Sequence, residues 1–433
     1  MTASKSYMRW IVLGLIVTAG AVSYLLRTTV SVLGDSMIDD LGLTEIQLGM
    51  ILSAFVAGYA IFQFPGGLFG EKVGARIAMT ACAVAWGVLA IVTAVVPGTD
   101  AVSVSLVLGM LIVLRFLTGA VHAPLFPVAC GGVISRWFPV GHWGLPNGLS
   151  STGLTLGAAA AGPVLVWLMG SYGWRGAMLI TAPIAFVMAF AWWAVVRNDP
   201  SEHPRVGEAE LRLIKSGRSA DDDAPAQKGA WKLVLMNRDI LLLTIGYFCM
   251  NSVFYLFFNW FFYYLVEVKR FAAQEAGMLM AALWILGSVG ATAGGFINDR
   301  MISRFGFRWG PASLAGVSLV LSAALLVYGA LADKPYVAVA MLGASFLCNQ
   351  VTEASYWSTA IAVSGDHAAA ATGVMNTGGN AVGFVGGMLV PAVAAWLGWA
   401  AAMSTGAVFA IIGAILWLFI RGDRPMTQPG RNT

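Results

Sequence analysis

The sequence predicts an all-α membrane protein: twelve transmembrane helices in two six-helix, pseudo-symmetric halves, with both termini cytoplasmic. Three observations predict it. Of 433 residues, 58% are hydrophobic and only 11% charged, with a mean hydropathy of +0.78; soluble domains carry about 25% charged residues. Apolar runs follow one another at the length a bilayer demands, about 20 residues. Finally, features of the first half return in the second at a constant offset. Gly148, Gly153, Gly173, Trp174 and Met178 correspond to Gly373, Gly378, Gly398, Trp399 and Met403. Small residues so placed let helices approach closely, and one offset shared by five positions favours duplication over ordinary glycine-rich packing.

The expected spans are 10–33, 46–69, 77–97, 104–133, 145–169, 174–196, 240–266, 275–297, 309–331, 335–363, 369–397 and 399–420. Lys5 and Arg9 before the first run mimic a signal peptide. That run is too long for one and others follow, so it is expected to be a retained first helix. With the N-terminus inside, nineteen Lys and Arg fall on the inner side and four on the outer, which sets both termini in the cytoplasm. Residues 1–196 and 240–420 then form the two halves. The polar stretch 197–239, with Pro200, Pro204, Pro225 and the run Asp221-Asp222-Asp223, is the cytoplasmic linker, and 421–433 the tail.

Composition also excludes functions. Cys82, Cys130, Cys249 and Cys348 all lie in apolar spans without a CxxC pair, and four scattered His give no metal spacing. The cysteines are expected to pack as small hydrophobes. The net charge of +4 has no basic stripe interleaved with exposed aromatics, so nucleic acid is not an expected partner. No nucleophile–base pair emerges. Neither catalysis, a metal nor a cofactor is expected.

Two arginines occupy apolar runs: Arg27 within 10–33 and Arg115 within 104–133. A charge at the bilayer centre costs about 2.5–3.5 kcal/mol even on the lenient insertion scale, and such residues usually face a bundle interior or wet cavity. Two cations in one half suggest that an anion joins them. Helical spacing puts Tyr24, Arg27 and Ser31 on one face, and Arg115, Thr118 and His122 on another. A guanidinium matches a carboxylate or phosphate bidentately. Pairing of Arg27 with protein carbonyls alone, or a packing or proton-transfer role for Arg115, is the alternative. His122 is a candidate for titration near neutral pH or for a neutral hydrogen-bonding role. Glu353, with Asn349, Tyr356 and Trp357 beside it, is a carboxylate well inside a span and a candidate proton-coupling site. Span seven carries Ser252, Tyr255 and Asn259 on one face, and span eleven Asn376 and Asn380. The aromatic run Trp260–Tyr264 suits an outer gate or an interfacial belt.

The loop Gly67-Leu-Phe-Gly-Glu71-Lys72-Val-Gly74-Ala-Arg76, with its counterpart Gly295…Asp299-Arg300…Gly306, resembles the loop signature of the major facilitator superfamily, with Glu in place of Asp. Ser53-Ala-Phe…Tyr59…Gln63-Phe-Pro65-Gly66-Gly67 and Arg115-Phe-Leu-Thr-Gly119…Ala123-Pro124-Leu-Phe-Pro127, then Arg136-Trp137-Phe138-Pro139, resemble its anion:cation symporter family of sugar-acid and other organic-anion carriers. The resemblance implies a major facilitator fold, alternating access, and an organic anion held near Tyr24, Arg27, Tyr59 and Arg115, with Asn376 from the other half. It implies that Glu71, Lys72, Arg76, Asp299 and Arg300 serve structure and gating, that a monomer works in the inner membrane, and that a proton is the candidate co-substrate. Leu26 and His122 stand where the family often has acids, which leaves facilitated diffusion and exchange open. A drug or metabolite exporter (Gly157…Gly162-Pro163 loosely resembles an exporter motif) and a transporter-like anion sensor are the rival readings.

Overall fold

The computed structural model describes residues 7–99, 101–218 and 231–426. Lys5, Lys228, Arg431, Pro225 and the run Asp221-Asp222-Asp223 lie outside the described residues, within which all regular structure is helical. The principal helices are α1 (Met8–Leu41), α2 (Glu45–Val73), α3 (Ala75–Ala94), α4 (Val104–His122), α5 (Gly144–Val195), α6 (Glu208–Lys215), α7 (Arg238–Tyr263), α8 (Ala273–Leu331), α9 (Pro335–Val351), α10 (Glu353–Ser364) and α11 (Ala368–Trp417). Among the described residues, nine helical segments are long and apolar enough to cross a membrane.

Helices α5, α8 and α11 run for 52, 59 and 50 residues, more than twice what a bilayer needs. Each is broken by one glycine with φ between 67 and 81° and extended ψ: Gly173, Gly306 and Gly398. Gly74, between α2 and α3, repeats the turn with φ 83° and ψ 151°. A side chain would be strained there, so each connection is a single permissive residue rather than a loop.

Three of the four turns carry an arginine two residues on. The Arg76 guanidinium donates to Trp193 O at 2.8 Å, and that of Arg175 donates to Ala94 O at 2.8 Å and to Val96 O. Arg308 donates to Leu418 O and Ile420 O. Each arginine at the start of one helix thus closes the carbonyl end of a neighbour, where a cation is favourable. The fourth turn has Ala400 in that place; Lys269 supplies the contact instead, donating to Ala332 O at 2.7 Å.

The chain divides into two compact units, Met1–Trp137 with Gly153–Lys215, and Phe138–Thr152 with Ser216–Thr433. In the first, α2 and α4 cross with backbones in contact. A Cβ on Gly119 would collide with Phe55 O and come within 2.7 Å of Tyr59 N. Gly119→Ala is therefore expected to push the two helices apart, destabilising the protein by about 1–3 kcal/mol. A lower melting temperature together with weaker ligand binding in purified protein checks this. Glu210 of α6 is buried and caps α1: Met8 N and Arg9 N each donate to its carboxylate at 3.1 Å. Glu210→Gln removes the charge from a helix N-terminus and should cost about 1 kcal/mol, read as an earlier midpoint in denaturant melts.

In the second unit, Asp299 accepts from Gly144 N at 2.7 Å and Leu145 N at 3.0 Å, holding the start of α5. Span ten, expected as one run, is interrupted at Thr352 between α9 and α10. The Thr352 hydroxyl donates to Asn349 O at 2.7 Å, a side-chain bond that competes with the helical ladder. Glu353 is the first residue of α10, inside the span. The fourth expected span changes too. Beyond His122, the segment Pro127–Ile134 winds as a π-helix, in a stretch where Pro124 and Pro127 lack backbone donors.

Candidate functional site

In the first unit, α1, α2 and α4 bring together five residues singled out from the sequence. The Arg27 guanidinium lies 4.4 Å from the Tyr24 ring centroid and 5.0 Å from those of Phe55 and Tyr59. Arg115 lies 4.8 Å from Phe55 and donates to Arg27 O at 3.1 Å. Phe55 stacks on Tyr59 at 5.9 Å and meets His122 edge-on at 6.0 Å. Trp86 of α3 stacks on His122 at 4.7 Å and is anchored by donation to Val121 O. The Gly119 crossing delivers Phe55 and Tyr59 to this cluster.

The two guanidiniums share one phenyl ring and are at most about 10 Å apart. At an effective dielectric of about 20 they repel by roughly 2 kcal/mol or more. Cation–π contact returns about 0.5–2 kcal/mol each. Arg115 is 3% exposed and His122 1%, and Arg115 Nε and His122 Nε2 have no hydrogen-bond partner among the described residues. An anion would offset the repulsion and give Arg115 Nε an acceptor.

The second unit holds two polar clusters. Glu353 Oε1 accepts from Tyr247 OH and from Trp357 Nε1, both at 2.8 Å. Tyr247 is itself packed against the rings of Tyr356 and Trp357. Elsewhere, Tyr255 OH donates to Asn380 Oδ1 at 2.8 Å, and Asn380 Nδ2 donates to Asn376 Oδ1 at 3.0 Å. This chain joins α7 to α11. Asn259, one turn beyond Tyr255, is exposed.

Of the loop residues, Arg76 and Asp299 make the helix-end contacts described above. Glu71 is half-buried. Lys72 and Arg300 are exposed, Arg300 lying 5.6 Å from the Phe296 ring. Sequence reasoning missed Phe55, Trp86 and Tyr247 as site residues, whereas Asn380 makes a bond to a neighbouring helix. Only Phe55 carried a usable signal, one turn before Tyr59 on the same face.

No group of three or more His, Cys, Asp or Glu among the described residues could hold a metal. Buried charge inside apolar spans, costly unless it meets a solute, defines a class: a multi-pass membrane transporter rather than an enzyme. The chain belongs to the Major Facilitator Superfamily, whose profile matches residues 16–386. The probable galactarate/D-glucarate transporter of Bacillus subtilis (strain 168) is 29% identical over 308 residues, 69% of this chain and 67% of that protein. The probable sulfoacetate transporter of Cupriavidus necator is 29% identical over 390 residues, covering 90% and 87%. Among solved structures, the proton:xylose symporter bound to 6-bromo-6-deoxy-D-glucose superposes with a TM-score of 0.74 at 12% identity, covering 96% of this chain and 97% of that one; that likeness concerns the fold.

Proposed function

We propose that this chain imports a small organic anion, a carboxylate or sugar acid, across the inner membrane by secondary transport. The observation that carries the reading is the gathering of Arg27 and Arg115 over the single ring of Phe55. Relatives described as transporters of galactarate, D-glucarate and sulfoacetate support it, since each such solute is an anion. Tyr24 and Tyr59 would flank the anionic group. Tyr255, Asn259 and Asn376 would read the remainder of the solute when residues 1–196 and 240–420 rock about it in alternating access.

Counting each glycine-broken helix as two spans, and α9 with α10 as one, supports twelve crossings. The excess of cations on one side supports cytoplasmic termini. Glu71, Lys72, Arg76, Asp299 and Arg300 are the proposed inner gate, with the Asp299 clamp on α5 in support. A proton is the proposed co-substrate, with Glu353 as its carrier and His122 as the other candidate. The proposed working unit is a monomer in the lipid bilayer.

The test is binding and counterflow in proteoliposomes with galactarate, D-glucarate and sulfoacetate. Saturable binding of at least one is expected. A panel of carboxylates and sulfonates in which none binds would sink the anion reading while leaving the fold untouched.

A further inference from the structure

We propose that His122 is a fixed hydrogen-bond acceptor that selects anions carrying a hydroxyl group, a reading that rests on the anion-carrier function above. Three observations converge on it. First, His122 Nδ1 lies 2.8 Å from Thr118 O. A carbonyl oxygen only accepts, so Nδ1 must carry the proton of the neutral ring and Nε2 must present a lone pair. Second, that Nε2 is buried and has no hydrogen-bond partner among the described residues, with the whole side chain 1% exposed. A buried acceptor left unsatisfied is a standing cost. Third, the ring cannot turn to seek a partner elsewhere. Trp86 stacks on one side, Phe55 closes its edge, and the Thr118 carbonyl holds the opposite nitrogen.

The same helix presents a complementary orphan. Arg115 Nε, two turns before His122 on one face, is a buried donor without a partner among the described residues. The pair asks for a solute with an acceptor at one place and a donor at another. A carboxylate oxygen answers Arg115 Nε, and a hydroxyl hydrogen some carbons along the chain answers His122 Nε2. A plain dicarboxylate or a sulfonate lacking hydroxyls supplies the first and not the second. In this role His122 sets which anion is preferred, and of the two proposed proton carriers Glu353 remains.

The experiment compares galactarate, D-glucarate and adipate, the last being the same six-carbon dicarboxylate without hydroxyls. Purified protein should bind the better hydroxy-acid about ten- to a hundredfold more tightly than adipate. In His122→Leu that preference should fall to near unity through loss of the hydroxy-acid alone. His122→Gln, which keeps an acceptor, should retain part of it. A second arm uses the unaltered protein and so does not depend on a variant folding. Deoxyfluoro analogues of the acid, scanned position by position, keep an acceptor but lose the donor. At one position the fluoro compound should bind as weakly as the deoxy compound.

A preference unchanged in folded His122→Leu, or fluoro analogues that match the parent acid at every position, overturns the assignment and leaves the anion carrier standing. If neither hydroxy-acid nor adipate binds the unaltered protein, the His122 assignment falls, and the sulfoacetate arm of the earlier panel decides the anion reading separately.

Discussion

Arg27→Ala is expected to weaken anion binding at least a hundredfold while leaving the protein folded. The guanidinium sits among Tyr24, Phe55 and Tyr59, and a planar fork of donors there suits an oxyanion. Charge-assisted bonds are worth about 1.5–3 kcal/mol each, and a bidentate pair combines two. Losing the pair therefore removes more than the 2.8 kcal/mol that a hundredfold in affinity represents, roughly. Folding should survive because Arg27 is only half-buried and its removal relieves repulsion with Arg115. Arg27→Lys should recover part of the affinity, since the point charge remains and the fork does not. Calorimetry on both variants checks this; retained affinity in the alanine variant would exclude Arg27 from the binding site.

Glu353→Gln should abolish accumulation driven by a pH gradient yet spare exchange of labelled for unlabelled solute. The amide keeps an oxygen for Tyr247 OH and Trp357 Nε1, so the local packing has little reason to change. What disappears is the ability to take up and release a proton. For one proton per solute, a gradient of one pH unit sustains about tenfold accumulation, by the equivalence of tenfold and about 1.4 kcal/mol. That tenfold should collapse to about one in the variant. Undiminished accumulation would remove Glu353 as the carrier and place the coupling proton on another group.

The fold was legible because the bilayer writes long apolar runs into any helical membrane chain, and because duplication left five positions at one offset. The finer repeat was not legible by that route. Gly74, Gly173, Gly306 and Gly398 make one turn four times, but the spacing from Gly74 to Gly173 differs from that between Gly306 and Gly398, so no single offset aligns all four. Conformation reveals what register hides. Arg27 and Arg115 were legible because charge in an apolar run is conspicuous. Phe55 and Trp86 were not, since an aromatic residue in a membrane helix is commonplace; the crossing at Gly119 brings Phe55 to the cations, and Trp86 of α3 meets only the His122 ring beside them. The break at Thr352 escaped notice for a related reason. The Thr352 hydroxyl reaches a carbonyl three residues back, as those of Thr29 and Thr405 do inside unbroken helical stretches, so the residue type carries no mark of the break.

The substitution of Lys269 for the missing fourth arginine has a mechanical corollary. Lys269 and Tyr264 both reach the last turn of α8, at Ala332 O and Ala330 O. The aromatic rim Trp260–Tyr264 is thereby tethered to another span by its own last residue and by Lys269 just beyond it. It cannot swing as an independent flap. Any excursion that lifts this rim must tow the end of α8 with it, or tear both threads first.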